Sequence, residues 1–313
     1  MKSYLKNICL LGMLLVSSLS VAYPQAKVDP AIEGRWDLVI EKEGKSLPSW
    51  LEISHSGTST LVGRFVYAFG SARPIAQVKQ VNQVYSFSIP PQWEPGSRDM
   101  EFEFTLREGT LHGSMVYTDG KKYEWTGVRA PSLVREKEPV WGTPVKLFNG
   151  KNLDGWKAMG TNQWVVENGV LRSPKSGANL VSERQFDDFK LHIEFRYPKG
   201  SNSGVYLRGR YEVQVEDSYG MAPLPDLFSA VYGFLPPNEM AARKAGEWQS
   251  FDITLAGRRV TVIANGKKVI TDQVIPGITG GALNSKEGEP GPILIQGDHG
   301  PVEYRNIVIT PAR

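Results

Sequence analysis

Three observations predict an all-β chain. Glycine and proline contribute 32 and 21 of the 313 residues, with no Gly-X-Y period, a composition suited to many tight turns. Apolar and polar residues alternate with period two through long stretches, the mark of strands with one buried face. No long segment carries a 3.6-residue period. At roughly 100 to 200 residues per domain, the length predicts two domains.

The same composition narrows the function. Lysine and arginine number 36 against 33 acids, a net charge of +3 with no basic run, which argues against a nucleic-acid surface. One cysteine forms no internal disulfide and no cysteine-based zinc set. The histidines at 55, 112, 192 and 299 have no metal-ligand spacing.

Residues 1–22 read as a secretory signal peptide. Lys2 and Lys6 precede an apolar run from Ile8 to Leu19, and Ser20-Val21-Ala22 is a small-x-small cleavage pattern. The apolar run is shorter than the ~20 residues that span a bilayer as a helix. No later segment is long and apolar enough to cross as a helix, so a periplasmic or secreted location is expected. Removing the leader takes away Lys2, Lys6 and Cys9 and no acid, which leaves a nearly neutral, thiol-free chain.

Residues 31–130 predict a small antiparallel β-barrel or sandwich of about eight strands. Trp36, Leu38 and Ile40 share one face, and Phe102, Phe104 and Leu106 alternate with Glu101, Glu103 and Thr105. Turn signals stand at Glu43-Gly44, Ser56-Gly57, Glu108-Gly109 and Asp119-Gly120. Gly34-Arg35-Trp36 near the first strand and Arg129 after the last are similar to the lipocalin pattern, in which an arginine covers the tryptophan at the closed end. Trp50 and Trp93, in loops bounded by prolines, are candidate exposed aromatics for binding or for edge packing.

Residues 131–144, with Pro131, Pro139 and Pro144 and the run Arg135-Glu136-Lys137-Glu138, predict a linker. The second domain spans 145–312. Glu167-Asn168-Gly169 and Asn265-Gly266 sit between strand-like runs and predict hairpins. Phe189, Leu191, Ile193 and Phe195 alternate with Lys190, His192, Glu194 and Arg196, as do Phe251, Ile253 and Leu255 with Asp252 and Thr254. Such strands predict a two-sheet jelly-roll sandwich. The segments 218–247 and 271–292 break the rhythm and are expected to rim a binding cleft.

In Tyr211-Glu212-Val213-Gln214-Val215-Glu216-Asp217 the valines point to the core, which sends Glu212, Gln214 and Glu216 to the other face. That stripe is equipped to hold sugar hydroxyls. It is equally the pattern of a solvated strand face.

The segments LFNGKNLDGW (147–156), WVVENGVL (164–171), FDDFKLHIEFR (186–196), NSGVYLRG (202–209), YEVQVEDSYG (211–220), GEWQSFDITLAGRRVTVIANG (246–266) and GPILIQGDHGPVEYRNIVI (291–309) resemble the 3-keto-disaccharide hydrolase family over nearly the whole second domain. The resemblance implies a concanavalin A-like lectin and glucanase fold and a substrate oxidised to a ketone at sugar C3 by a separate oxidoreductase. It implies removal of the C2 proton, loss of the glycosidic oxygen from C1 and addition of water. Such chemistry needs a base, an acid, and a donor at the carbonyl where enolate charge develops.

His299, within Gln296-Gly297-Asp298-His299-Gly300, is the leading acid or base, since imidazole exchanges its proton near neutral pH. Glu212 is the second candidate, and Arg208 is a candidate to meet the enolate or to pair with Glu212. Asn202, Gln214, Glu216, Asp217, Gln296 and Asp298 are candidates to hold the sugar, Tyr219 and Trp248 to stack on it, and Arg305 to brace the site from behind. Each has a structural alternative, as a packing anchor or a partner for backbone groups. An ordinary retaining glycosidase is disfavoured: Glu212 and Glu216 lie ~13 Å apart on a regular strand, against the ~5 Å such a pair needs. No cofactor is evident, and calcium held by Glu212, Glu216, Asp217 and His299 stays open. A non-catalytic carbohydrate-binding protein and a surface-adhesion module are the competing functions.

Overall fold

The computed structural model describes residues 30–313; the expected leader at 1–22, with Cys9, lies outside them. After a 3-10 turn at Pro30–Ile32, eight strands follow: β1 (Gly34–Lys42), β2 (Lys45–Ser56), β3 (Thr60–Val66), β4 (Arg73–Val81), β5 (Val84–Ile89), β6 (Met100–Arg107), β7 (Thr110–Val116) and β8 (Lys122–Arg129). Each pairs with the next and β8 returns to β1, so the sheet closes into an up-and-down barrel and the sandwich alternative falls away. Its core is aromatic: Phe87 stacks on Phe102 at 4.5 Å, and Phe65 lies 4.6 Å from Phe102. Trp36 is fully buried with the Arg129 guanidinium 3.9 Å above its ring, and its indole N–H donates to the Ile32 carbonyl. The tryptophan–arginine lid at the closed end is therefore present.

Residues between β8 and the sandwich are packed, not free. Arg135 pairs with Asp188 at 2.5 Å and Asp187 at 2.8 Å, and Trp141 bridges to Ala312. The next strands are β9 (Val145–Lys146), β10 (Trp156–Ala158), β11 (Val165–Glu167), β12 (Val170–Ser173), β13 (Leu180–Phe186), β14 (Phe189–Arg196), β15 (Asn202–Leu207), β16 (Tyr211–Glu216), β17 (Gln249–Ala256), β18 (Arg259–Ala264), β19 (Lys267–Val274), β20 (Gly291–Ile295) and β21 (Val302–Pro311). One sheet has the order β10-β13-β20-β15-β16 and the other β11-β12-β21-β14-β17-β18-β19, with β9 beside β21. The Asn-Gly hairpins form as expected: Asn168 and Gly169, and Asn265 and Gly266, all have positive φ, the backbone a type I′ turn requires.

The inner faces of the two sheets, among them Val205, Val213, Val215, Phe195, Phe251 and Ile307, form one core. Trp50 and Val66 of the barrel belong to that core. Trp50 is fully buried, with its ring 5.3 Å from Phe234, so it is an interdomain packing residue and not an exposed aromatic. The core lies on one side of β15 and β16, and their other side carries the polar stripe.

Candidate active site

β15 and β16 form a hairpin with an unbroken register: Tyr206 opposes Glu212, Gly204 opposes Gln214 and Asn202 opposes Glu216. All six residues share the face turned away from the core. That face floors a cavity of about 690 Å³, which Asn179, Asp226, Leu227, Tyr232, Gln296, Asp298 and His299 help to enclose. The outer edge of β16 does not end the sheet abruptly. The Gln214 N–H donates to the Ala230 carbonyl and the Ser229 and Tyr232 N–H groups donate back to Gln214 and Glu212, so residues 229–232 cover the edge.

Glu212 is almost wholly buried, and Gly204 makes room for it: a Cβ at 204 would lie 2.2 Å from Glu212 Oε1. Burial pushes its carboxyl up to about 8; the nearby Asp298 and Glu216 charges add to the shift, and Tyr206 and His299 oppose it. Hydrogen-bond accounting agrees with a neutral acid. The Tyr206 hydroxyl lies 2.9 Å from Glu212 Oε2 and 3.0 Å from the Gly280 carbonyl, which can only accept. Tyr206 has one proton to give. Directed at Gly280, that proton leaves the phenol oxygen to accept from a protonated Glu212; directed at Glu212, it serves the ionised carboxylate.

His299 stands on the turn after β20, half exposed, with Nδ1 2.7 Å from Asp298 Oδ1. That hydrogen bond is the main cause of a raised imidazole pKa, which burial opposes and the Asp298 and Glu212 charges reinforce. Burial works against ionised Asp298, yet the bond and charge from His299 outweigh it and hold the carboxyl below its ordinary value. The arrangement fixes a tautomer: Nδ1–H donates to the carboxylate and Nε2 is left for a substrate. Asn179 braces this turn, since its side-chain oxygen accepts the Gly297 N–H at 2.8 Å.

Gln296 carries a further sign of a ligand. Its Oε1 is buried and has no hydrogen-bond partner among the described residues, although the residue lines the cavity. Gln214 differs: its amide donates to the Asp226 carbonyl and its oxygen accepts the Val215 N–H, so it tethers the 218–230 loop. Burial, with the Asp226 and Asp217 charges, raises the Glu216 pKa.

Of the residues singled out from sequence, Asn202, Glu212, Gln214, Glu216, Gln296, Asp298 and His299 line one cavity. Five others lie elsewhere. Arg208 sits in the turn after β15 at φ 52°, which swings its side chain away from the pocket face. It is fully buried and donates to Asp187 at 3.0 Å, the Gly257 carbonyl at 2.9 Å and the Tyr211 hydroxyl at 3.1 Å, not to Glu212. Asp217, one residue past the stripe, accepts the Gly200 N–H. Tyr219 is exposed near Lys244. Arg305 and Trp248 belong to the far sheet: the guanidinium lies 3.9 Å over the indole and pairs with Glu194 at 2.6 Å, so Arg305 does not brace the pocket.

Among the described residues, no lysine or arginine lines the cavity. Among the described residues, no group of three or more His, Cys, Asp or Glu side chains is disposed to hold a metal, so the donor set considered for calcium is not assembled. Tyr206 escaped the sequence reading although its signal was there, because a hairpin turning at Arg208-Gly209-Arg210 pairs it with Glu212. Asn179, Asp226 and Tyr232 come from loops and carry no periodic signal.

The chain is similar to several known proteins. A 3-keto-disaccharide hydrolase of Bacteroides thetaiotaomicron is 27% identical over 97 residues, covering 27% of this chain and 33% of the relative, so the match spans about a third of that protein. A crystal structure of a candidate glycosyl hydrolase from Parabacteroides distasonis aligns with 29% identity and TM-score 0.47, over 58% of this chain and 96% of that one. A carbohydrate-binding module from Bacillus subtilis aligns with 12% identity and TM-score 0.37, over 50% and 95%. Residues 143–310, which supply nearly all of the cavity, match the model of the 3-keto-alpha-glucoside-1,2-lyase-like domain, and the chain belongs to that family.

Proposed function

We propose that the protein hydrolyses the glycosidic bond of a 3-keto-glycoside, with Glu212 as general acid and His299 as general base. The observation that carries this reading is a carboxyl held neutral by burial in the same cavity as a histidine oriented by a carboxylate. Burying an acid without an ionic partner is costly, and a binding surface for neutral hydroxyls has no need of it. This favours catalysis over simple carbohydrate binding.

In the reaction the ketone at C3 acidifies the C2–H bond. His299 Nε2 takes that proton, and the electron pair moves onto the carbonyl oxygen as an enolate. Its charge is met by the new imidazolium and by the amide donors of Asn202 and Gln296, in a cavity without a fixed cation. Collapse of the enolate forms a C1–C2 double bond and breaks the bond from C1 to the glycosidic oxygen, which takes the Glu212 proton as it leaves. Water then adds at C1, returning a proton to Glu212, and His299 returns its proton to C2. The net change is hydrolysis, with both residues restored.

A two-carboxylate retaining route receives no support. The β15–β16 ladder runs without a bulge from Leu207↔Tyr211 to Asn202↔Glu216, so Glu212 and Glu216 keep the wide spacing of a regular strand. The reading requires a separate oxidoreductase to make the ketone. It also places the protein outside the cytoplasm through the leader at residues 1–22, which N-terminal sequencing of the mature protein tests. The function is tested by incubating the protein with a 3-keto-disaccharide and with its unoxidised parent. Release of monosaccharides from the ketone alone is expected, and indifference to both sugars overturns the proposal.

A further inference from the structure

The cavity wall is not built by the family-matched segment alone. Phe69, Gly70 and Trp93, all from the barrel, line it opposite the polar stripe, and all lie outside residues 143–310. Trp93 is 67% exposed, an unusual state for an indole held at the mouth of a cavity.

The loops that carry these aromatics are fastened. Glu94, almost fully buried, accepts the backbone N–H groups of Gln92 at 2.7 Å and Trp93 at 3.1 Å and pairs with Arg73 at 2.8 Å. Arg73 also donates to the Pro90 carbonyl. The Gln92 side-chain oxygen accepts the Ser71 N–H at 2.9 Å, tying residues 67–72 to residues 90–99. A buried ion pair spent on the backbone beside an exposed indole holds that indole in place without adding much stability.

Those loops are also in register with the catalytic floor. The Gly281 N–H donates to the Ala68 carbonyl at 2.8 Å. Gly280 packs so closely on Gly70 that a Cβ there would meet the Gly70 carbonyl oxygen at 2.3 Å, and the Gly280 carbonyl takes part in the Tyr206–Glu212 hydrogen-bond chain. The barrel wall and the acid are thus connected through Gly70, Gly280 and Tyr206.

We propose that Trp93, with Phe69 beside it, is a stacking wall for the sugar ring on the leaving-group side of the scissile bond, which makes the barrel a determinant of substrate length. The inference rests on the proposed function for its direction. The reacting ring sits over Glu212 at the buried floor, and the ring it leaves projects towards the mouth, where the indole presents a flat apolar face to the C–H face of a pyranose. Ligand sites form preferentially at domain interfaces, and a cavity of this volume falls in the range of ~300–1,000 Å³ that such sites occupy. Another depression, a groove of about 550 Å³ near Lys79, Glu101 and Lys122, is lined by barrel residues alone.

The test compares wild type with Trp93→Ala and Trp93→Phe, all as the full chain, on a 3-keto-disaccharide and on the matching 3-keto methyl glycoside. Trp93→Ala is expected to lose about tenfold or more in kcat/KM on the disaccharide, mainly through KM, and several times less on the methyl glycoside, with Trp93→Phe recovering most of the loss. Equal losses on both substrates overturn the proposal. If wild type cleaves neither ketone, the proposed function falls by itself. Calorimetric affinities for the parent disaccharide and methyl glycoside then decide the wall: a loss confined to the disaccharide sustains it, and no difference between wild type and Trp93→Ala overturns it.

Discussion

Tyr206 and Glu212 oppose each other across the β15–β16 ladder, with the phenol oxygen 2.9 Å from the carboxyl. Because the phenol oxygen also meets a carbonyl that can only accept, a protonated carboxyl lets both contacts be hydrogen bonds at once. Glu212→Gln keeps the shape and a donor but removes the transferable proton. It is expected to lower kcat by ~10² or more while the far-ultraviolet circular dichroism stays unchanged.

The pH dependence follows from the two shifts. In the proposed reaction His299 acts as base only when neutral, and its pKa lies above the ordinary 6.5, so kcat/KM is expected to rise with pH through that raised value. Glu212 acts as acid only when protonated, so activity falls as pH passes about 8. A bell bounded on the acid side by His299 and on the alkaline side by Glu212 is the expected profile. Asp298→Asn removes the charge that raises His299, and its acidic limb is expected to move to lower pH.

Gly204 leaves no space for a side chain beneath Glu212. Gly204→Ala drives the carboxyl off Tyr206, since its methyl group has nowhere else to go on a paired strand. A fall in kcat of about tenfold or more with an intact fold is expected, measured by steady-state kinetics beside a thermal melt.

Arg208 separates the structural reading from the sequence reading. Its guanidinium is sealed against Asp187, Gly257 and Tyr211 and is not part of the cavity lining. Arg208→Ala is expected to cost about 3 kcal/mol in urea unfolding through the buried acceptors it strands. The remaining folded protein should keep its KM.

Asp37 on β1 is buried against Glu287 of the sandwich, and burial, followed by the Glu287 charge, raises its carboxyl well above the ordinary range. Between its unfolded value, about 4, and that raised value, the folded state holds a proton that the unfolded chain has lost. Stability therefore declines as pH rises through this window, by up to about 1.4 kcal/mol per pH unit. Asp37→Asn is expected to flatten the fall in melting temperature between about pH 5 and about pH 8, with most of the gain at the alkaline end.

Period-two alternation carried the fold a long way, because strands with one buried face write their orientation into the chain. Residues 211–217 foretold which side of β16 is polar, and Gly34-Arg35-Trp36 with Arg129 foretold a barrel with a covered end. The expectation for Arg208, which rested on its place in the NSGVYLRG segment, failed because a positive φ in a turn resets side-chain direction. The expectations for Arg305 and Trp248 failed too, since their strand and neighbouring loop belong to the other sheet; alternation fixes a face but not which sheet owns it. Asn179, Asp226 and Tyr232 reach the cavity through long-range packing that no local pattern encodes. Trp50 and Trp93 look alike in sequence, each near prolines. Only the docking of barrel on sandwich separates the buried one from the exposed one.

Trp50 also has a practical consequence. Its indole fills a socket formed by Phe234 and by Gly277, where a Cβ would lie 2.1 Å from the ring nitrogen. A fragment trimmed to the family boundaries would open that socket to water and present an apolar hole large enough for an indole, inviting aggregation. A protease that nicks residues 131–144 faces the opposite case: the two pieces remain keyed together and migrate as one particle on a native gel. Recombinant work on this protein is best done with both halves on one chain, since Trp50 and Val66 of the barrel complete the sandwich core.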